Sequence, residues 1–141
     1  MNPIEQLACS AIDAINRNDA DTLINLFSDN FVYSDKALGI TCINPEELRD
    51  FTTTVRRLFP NSQLEVVNAV ADVTSVAVQW TLHATIQVPA YVGTRPKRIA
   101  VSGVSYVKTL DHKIDCWTDC YDRLDSGRTP VIEAMKGWME L

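Results

Sequence analysis

The segment that decides the fold is residues 76–87, which read Val76-Ala77-Val78-Gln79-Trp80-Thr81-Leu82-His83-Ala84-Thr85-Ile86-Gln87. Mostly large apolar side chains occupy every second position, and polar or small side chains lie between them. A repeat of two is the period of a β-strand that buries one face. The segment therefore predicts a long, half-buried strand.

Further strands are predicted on both sides of this segment. Residues 63–72 are rich in Val and Ala, and residues 97–109 and 113–122 form two strands joined around Asp111-His112. An early short strand covers residues 31–35 and ends near Gly39, whereas residues 89–96 begin and end with proline and predict a loop. The later strands are expected to form an antiparallel arrangement of four.

Helices are predicted before and after the long strands. Asn2 caps the first helix, with Pro3 in its first turn. Asn44, with Glu47 three residues later, has the spacing of a capping box for the third helix. The remaining helices carry short apolar stripes, with Leu23, Ile24 and Phe27 in the second and residues 129–140 in the last. Separate runs of helices and strands indicate an α+β fold, and without a linker we expect one domain over residues 1–141.

Composition limits the classes of partner. The 141 residues are 46% hydrophobic and 22% charged, as in an ordinary globular domain. A net charge of −5 disfavours nucleic acid and acidic membranes as partners. With no signal peptide and no bilayer-spanning apolar run visible, the expected location is the cytoplasm.

The four cysteines do not predict a metal or disulfide site. Cys116 and Cys120 lie four apart in a predicted strand, hence about 13 Å from each other, which is too far for a disulfide. The sequence has only 2 histidines to complete a zinc site. We expect reduced, mostly buried thiols and no cofactor.

The order of these elements resembles the nuclear transport factor 2-like superfamily, over about residues 4–124. Within it the chain is most similar to the SnoaL-like polyketide cyclases, and more distantly to the ketosteroid isomerases and limonene epoxide hydrolases. The segments that carry the resemblance are Asn18-Asp19-Ala20-Asp21, Leu26-Phe27-Ser28-Asp29-Asn30-Phe31-Val32, Phe59-Pro60, Val76-Ala77-Val78-Gln79-Trp80, Val101-Ser102-Gly103-Val104 and Lys113-Ile114-Asp115-Cys116-Trp117-Thr118-Asp119-Cys120-Tyr121-Asp122. The resemblance implies a cone-shaped, cystatin-like α+β barrel. In it a curved mixed or antiparallel sheet wraps around the N-terminal helices and encloses an apolar pocket. It also implies a homodimer through the outer face of the sheet.

Two aspartates are candidate catalytic residues. Asp119 shares a strand face with Trp117 and Tyr121, and a carboxylate between two aromatics is unusual on a solvent face. The resemblance places a catalytic aspartate of the cyclases and epoxide hydrolases at Asp119, and the isomerases' proton-shuttling aspartate at Asp35. In an apolar pocket both carboxylates would have raised pKa values. Asp119 is the preferred base and Asp35 its partner, although Asp35 could instead only stabilise the following turn.

Other residues are expected to complete the pocket. Tyr33 shares a face with Asp35, and the matching tyrosine of the epoxide hydrolases helps to hold water. It could equally be an ordinary core residue. Ser105 occupies the place of the isomerases' protonated aspartate. If the facing seen in the family holds, the substrate-binding residues are Trp80, Leu82, Ser105, Trp117 and Tyr121.

The sequence departs from both related enzyme families. Ala11 stands where the isomerases carry an oxyanion-binding tyrosine, and Trp80 and Leu82 stand where the epoxide hydrolases carry arginine and aspartate. The leading hypothesis is a cofactor-free isomerase or cyclase that acts on a hydrophobic carbonyl compound, such as a polyketide or terpenoid intermediate. Two alternatives stay open. One is an epoxide hydrolase or epoxide-opening cyclase that uses the same carboxylates, and the other is a non-catalytic ligand-binding or dimer scaffold protein.

Overall fold

The computed structural model describes residues 2–86 and 97–122, which form three helices and six strands. In chain order these elements are α1 (Pro3–Asn16), α2 (Ala20–Asn25), β1 (Phe27–Asp35), β2 (Ile40–Cys42), α3 (Pro45–Leu58), β3 (Gln63–Ala71), β4 (Ser75–Ile86), β5 (Lys97–Leu110) and β6 (Lys113–Tyr121). The predicted loop at residues 89–96 and the predicted helix at residues 129–140 lie outside the described residues.

The strands form one curved mixed sheet in the order β2-β1-β6-β5-β4-β3. β1 runs parallel to β6, and the other described neighbours are antiparallel. The α+β class and the four later strands predicted from the sequence are confirmed. β6 is an inner strand, because it pairs with β5 along one edge and with β1 along the other.

The early part of the chain differs from the prediction in two places. β1 begins at Phe27 rather than at residue 31, and the short strand β2 was not predicted. Phe27 therefore belongs to the sheet and not to the apolar face of α2. The carbonyl group of Leu26 accepts a hydrogen bond from the amide of Ile114 (2.8 Å), which draws the chain into the sheet directly after the helix.

Both predicted helix caps are present. The Asn2 side chain accepts hydrogen bonds from the amides of Ile4 and Glu5 at the start of α1. The Asn44 side chain accepts from the Glu47 amide (2.9 Å) at the start of α3. The Glu47 carboxylate accepts from the Ile43 amide (3.0 Å), one residue earlier than in a standard capping box.

The alternation in β4 separates the two faces of the sheet. Val76, Val78 and Trp80 are buried on the face that the helices cover, whereas Gln79 and His83 are exposed on the outer face. Residues of neighbouring strands follow the same alternation because the register is unbroken between β4 and β5 and, from Gly103 to Lys108, between β5 and β6. The face toward the helices therefore forms the core and lines the cavity described below.

The cysteines correct one expectation. All four are free thiols, but only Cys42 is buried; Cys9 and Cys116 are half-buried and Cys120 is exposed. Cys120 is exposed because its side chain lies on the outer face of β6, opposite to the face of Trp117 and Asp119. In the part of the chain that the structure describes, no helix has the length and apolarity needed to cross a membrane.

Candidate active site

The register of three strands brings the candidate residues together. β1 pairs with β6 so that Asp35 lies beside Asp119 and Tyr33 lies beside Trp117. β5 pairs with β6 from the other side and places Ser105 beside Asp119. Because residues paired across a sheet share a face, the five side chains converge on the core side.

Asp119 is a buried carboxylate held by three hydrogen-bond donors. Its Oδ1 accepts from the Ser105 hydroxyl (2.5 Å) and from the indole Nε1 of Trp117 (2.7 Å), and its Oδ2 accepts from the Tyr33 hydroxyl (2.6 Å). Three donors stabilise the ionised form of a carboxylate. This geometry suits a carboxylate that keeps its negative charge although it is buried.

Asp35 is buried beside it with a different set of partners. Its Oδ1 accepts from the Leu38 amide (2.9 Å), and its Oδ2 accepts from the Tyr121 hydroxyl (3.0 Å). The two tyrosine bonds cross, since Tyr33 of β1 reaches Asp119 of β6 and Tyr121 of β6 reaches Asp35 of β1. Each aspartate is therefore fixed by a tyrosine of the neighbouring strand.

Burial raises the pKa of both carboxyl groups. For Asp35, loss of hydration is the largest cause and the negative charge of Asp119 adds to it. The hydrogen bonds from Leu38 and Tyr121 oppose the rise and leave its pKa at about 6. Burial also raises the pKa of Asp119, against the opposing effect of the hydrogen bonds from Ser105, Tyr33 and Trp117. The two acids thus differ in environment, and Asp35, with its pKa of about 6, titrates close to neutral pH.

Trp80 extends the network across the sheet. Its indole Nε1 donates to the Ser105 hydroxyl oxygen (2.8 Å), and that hydroxyl donates to Asp119. The Trp80 ring crosses its strand partner Gly103, where three ring carbon atoms lie within 2.9 Å of the position that a Cβ atom would occupy. Glycine at residue 103 therefore makes room for the indole.

These groups line a cavity of about 150 Å³ between the sheet and the helices. A cavity of that volume accommodates a molecule of about the size of benzene. All eight residues predicted from the sequence line it, namely Tyr33, Asp35, Trp80, Leu82, Ser105, Trp117, Asp119 and Tyr121. The structure thus places them around one cavity, while their catalytic and substrate-binding roles stay predictions. We call Asp35, Asp119 and their donors Tyr33, Ser105, Trp117 and Tyr121 the acidic end.

Six residues from α3 and the turn after it were not predicted to line a cavity, namely Phe51, Thr52, Val55, Arg56, Phe59 and Ser62. Phe51, Phe59 and Ser62 are buried there, and Arg56 is half-buried. The guanidinium of Arg56 donates to backbone carbonyls at the ends of two helices, those of Ile15, Asn16, Pro60 and Ser62. Phe51 and Phe59 are buried residues of the core. No local pattern in the sequence could show that they reach a cavity, because that depends on how α3 lies across the sheet.

Asp115, Asp122, His83 and His112 do not line this cavity. Asp115 is half-buried and accepts a hydrogen bond from Ser28 (2.7 Å), and exposed His83 lies 3.6 Å from Glu65 on the outer face. Within residues 2–86 and 97–122, no group of three or more His, Cys, Asp or Glu side chains is arranged to hold a metal ion.

The fold and the acid-containing cavity define an α+β protein of the nuclear transport factor 2-like class with a small-molecule pocket between the sheet and the helices. Residues 10–117 match the SnoaL-like domain family. The match spans most of the sequence, and the chain belongs to that family. No curated protein sequence matches the chain.

Solved structures show the same fold at low sequence identity. A ketosteroid isomerase-like protein from Catenulispora acidiphila, in complex with trimethylamine, is 18% identical with a TM-score of 0.76, over 89% of this chain and 95% of that one. A candidate polyketide cyclase from Xanthomonas campestris is 17% identical with a TM-score of 0.75, over 85% and 90%. A candidate SnoaL-like polyketide cyclase from Shewanella putrefaciens is 15% identical with a TM-score of 0.76, over 99% and 98%. At these identities the likeness establishes the fold alone.

Proposed function

We propose that the protein is a cofactor-free acid–base enzyme, an isomerase or cyclase that acts on a small apolar carbonyl compound. The observation that carries this proposal is the pair of buried carboxylates, Asp35 and Asp119, side by side in one largely apolar cavity. A protein that served only as a scaffold would gain stability from an apolar pair there, because burying two adjacent acids costs free energy. Enzymes of proton transfer use such pairs.

We assign the proton-carrying role to Asp35 rather than to Asp119, which the sequence favoured. With a pKa of about 6, Asp35 is mostly ionised at pH 7 and still binds a proton readily. In the isomerisation, the Asp35 carboxylate takes a proton from the carbon next to the carbonyl group, and the electron pair of that C–H bond forms an enolate. Return of the proton to a different carbon regenerates the Asp35 carboxylate. Asp119, held by three donors, fixes the geometry and favours the protonated form of Asp35 once the proton has moved.

A small cyclic ketone tests this proposal without knowledge of the natural substrate. Cyclohex-3-en-1-one should isomerise to the conjugated enone, and its α-hydrogens should exchange with D₂O, when the protein is added. Asp35→Asn should slow both processes by about two to four orders of magnitude. Exposed Asp29 lies on the same strand, so Asp29→Asn is the matched control and should leave both rates unchanged. Equal rates in Asp35→Asn would remove Asp35 from the mechanism, and no exchange by the unmodified protein with any ring ketone tried would contradict the reaction type.

Epoxide opening is a second candidate, favoured by the direction of the hydrogen bonds. The hydroxyl groups of Tyr33, Ser105 and Tyr121 already donate to carboxylates, which leaves carboxylate and phenol oxygens to stabilise positive charge on an opening epoxide. Protonated Asp35 would give its proton to the epoxide oxygen as the C–O bond breaks. Asp119 would take a proton from the attacking water or internal hydroxyl group. Oxygen from labelled water appears in the product of hydrolysis and not in that of isomerisation.

The homodimer stays a prediction of the family resemblance. Val104 and Tyr106 are exposed on the outer face of β5, and Val70 is exposed on β3. These apolar side chains support a contact between two copies through this face of the sheet.

A further inference from the structure

The hydroxyl and indole hydrogen atoms of the acidic end already form hydrogen bonds within the protein. Tyr33, Ser105 and Trp117 donate to Asp119, and Tyr121 donates to Asp35. The indole of Trp80 donates to the Ser105 oxygen, so the hydroxyl hydrogen of Ser105 is left to donate to Asp119. A ligand that approaches the acidic end therefore meets no uncommitted hydrogen-bond donor among these described side chains while Asp35 is ionised.

Acceptors and aromatic rings remain available to the ligand. Each carboxylate has lone pairs beyond those that accept the bonds just named, and each tyrosine hydroxyl that donates can still accept. The aromatic side chains that line the cavity are Tyr33, Phe51, Phe59, Trp80, Trp117 and Tyr121. The faces of such rings are electronegative and attract cations.

The charges around the cavity favour the same kind of ligand. The charged side chains among its described lining residues are Asp19, Asp35, Arg56 and Asp119, three acids and one base. Asp19 caps α2 and is bonded to Thr22 and Arg17, and Arg56 directs its terminal nitrogens at backbone carbonyls. Neither group neutralises the pair of carboxylates, and both belong to the helical side of the cavity. Buried negative charge that lacks a counter-ion favours a ligand that brings one.

We propose that the acidic end binds a small organic cation, a tertiary or quaternary ammonium group, between the two carboxylates and the surrounding aromatic rings. The proposal rests on the proposed function only in that it concerns the same cavity. It names the charge of the ligand that this cavity prefers, whether the ligand is a substrate or an inhibitor that resembles the positively charged, opening epoxide of the second candidate reaction. Alkylated ammonium is favoured over ammonium itself because its methyl groups match the apolar wall.

The protonation of Asp35 sets the strength of this preference. The titratable groups that face Asp35 are Asp119 and Tyr121 from β6 and Tyr33 from its own strand. Cys42 of β2 adjoins Tyr33, and Asp19 and Arg56 lie at the helical side. Above pH 6 Asp35 is ionised and adds a negative charge to the acidic end, and below it Asp35 holds a proton that can donate to a neutral oxygen. Cation binding should therefore strengthen as the pH rises from 5 to 8.

The test compares two compounds that differ only in charge. Choline and 3,3-dimethyl-1-butanol have the same shape, with a quaternary nitrogen in one and a carbon atom in its place in the other. At pH 8 calorimetric or NMR titration of the protein should give a dissociation constant at least about tenfold lower for choline. At pH 5 the ratio should fall severalfold. Equal affinities at pH 8, a preference for the alcohol, or no binding of either compound up to its solubility limit would each overturn the proposal.

Variants show whether the preference arises at the acidic end. Asp35→Asn should abolish most of the pH dependence of the preference for choline, whereas Asp29→Asn should behave as the unmodified protein does. A preference for choline that survives in Asp35→Asn with its pH dependence intact would place the cation elsewhere and overturn the assignment. The pH titration of the unmodified protein keeps the test decisive if the variant does not fold. Since no turnover is measured, loss of ketone isomerisation in Asp35→Asn with unchanged cation binding would support the proposed function and reject this inference.

Discussion

Tyr33 shows how strongly one hydroxyl group can matter at a buried charge. Its ring stacks on Trp117 at 12° and contacts Phe51, and its hydroxyl donates to Asp119. Tyr33→Phe keeps the ring and removes one of three donors from that carboxylate. We expect a loss of about 1.5 to 3 kcal/mol in the free energy of unfolding, because a hydrogen bond to a charged group is worth that much.

Denaturant unfolding of matched variants measures this loss. Tyr106 is an exposed tyrosine on the outer face of β5, so Tyr106→Phe removes a hydroxyl group without touching the network. It should change the free energy of unfolding by less than about 0.5 kcal/mol. If the two variants lose the same stability, the Tyr33 hydroxyl does not support the Asp119 anion.

The sequence predicted which side chains line the cavity, but it did not predict the hydrogen bonds that they form there. Alternation in the last strand places Trp117, Asp119 and Tyr121 on one face, and the structure confirms that placement. The bond from Tyr33 to Asp119 spans 86 residues and depends on the parallel pairing of β1 with β6. No local pattern encodes that pairing, so the sequence could not show that the Ser105 and Tyr33 hydrogens are already donated to Asp119.

Side chains of paired residues on neighbouring strands shape the cavity. In one such set Gly103 has no side chain and so leaves space for the aromatic rings beside it. It lies between Trp80 of β4 and Tyr121 of β6, whose rings are 6.0 Å apart. Gly103→Ala would place a methyl group against the Trp80 ring and force the indole away from Ser105. Overpacking of this kind costs about 1 to 3 kcal/mol, and the lost bond adds to it.

The displacement of the Trp80 indole in Gly103→Ala should be detectable by spectroscopy as well as by the loss of stability. Near-UV circular dichroism should change because the Trp80 ring moves, and ligand binding in the cavity should weaken. Trp80→Phe in the Gly103→Ala background provides the control, since the smaller ring should restore part of the stability. If Gly103→Ala leaves both the spectrum and the free energy of unfolding unchanged, the backbone of β5 can shift enough to accommodate the methyl group.

Most helices and strands could be predicted from the sequence, apart from those in the region around α2 and β1. The Asn2 and Asn44 caps and the alternation in β4 are local signals, and local signals predicted α1, α3 and β4. β1 contains Ser28, Asp29 and Asn30, which have low strand propensity. Its first half joins the sheet at Phe27, which pairs with Ile114 of β6 before an irregularity in the register that ends at Val32. This pairing is tertiary context that overrides the local preference.

The protein as a whole should be most stable in mildly acidic solution because of its buried acids. The pKa of Asp35 rises from 3.8 to about 6 on folding, so between these values the folded state binds more protons than the unfolded state. Stability then falls as the pH rises through this interval, by about 3 kcal/mol for this group alone. The raised pKa of Asp119 acts in the same direction. Half-buried Asp19 and exposed Asp72, whose hydrogen bonds lower their pKa values from 3.8, oppose it only at pH values below that ordinary value.

Urea unfolding at a series of pH values tests this balance. The free energy of unfolding should be higher near pH 4.5 than at pH 7.5, and Asp35→Asn should reduce the difference because its amide does not titrate. Asp29→Asn changes the net charge equally and should keep the slope, which separates the buried acid from the general effect of lowering a net charge of −5. A wild-type profile that rises from pH 4.5 to 7.5, or one that Asp35→Asn leaves unaltered, would mean that Asp35 is hydrated in solution. Such an acid would titrate in its ordinary range and could not act as the proton carrier of a closed site.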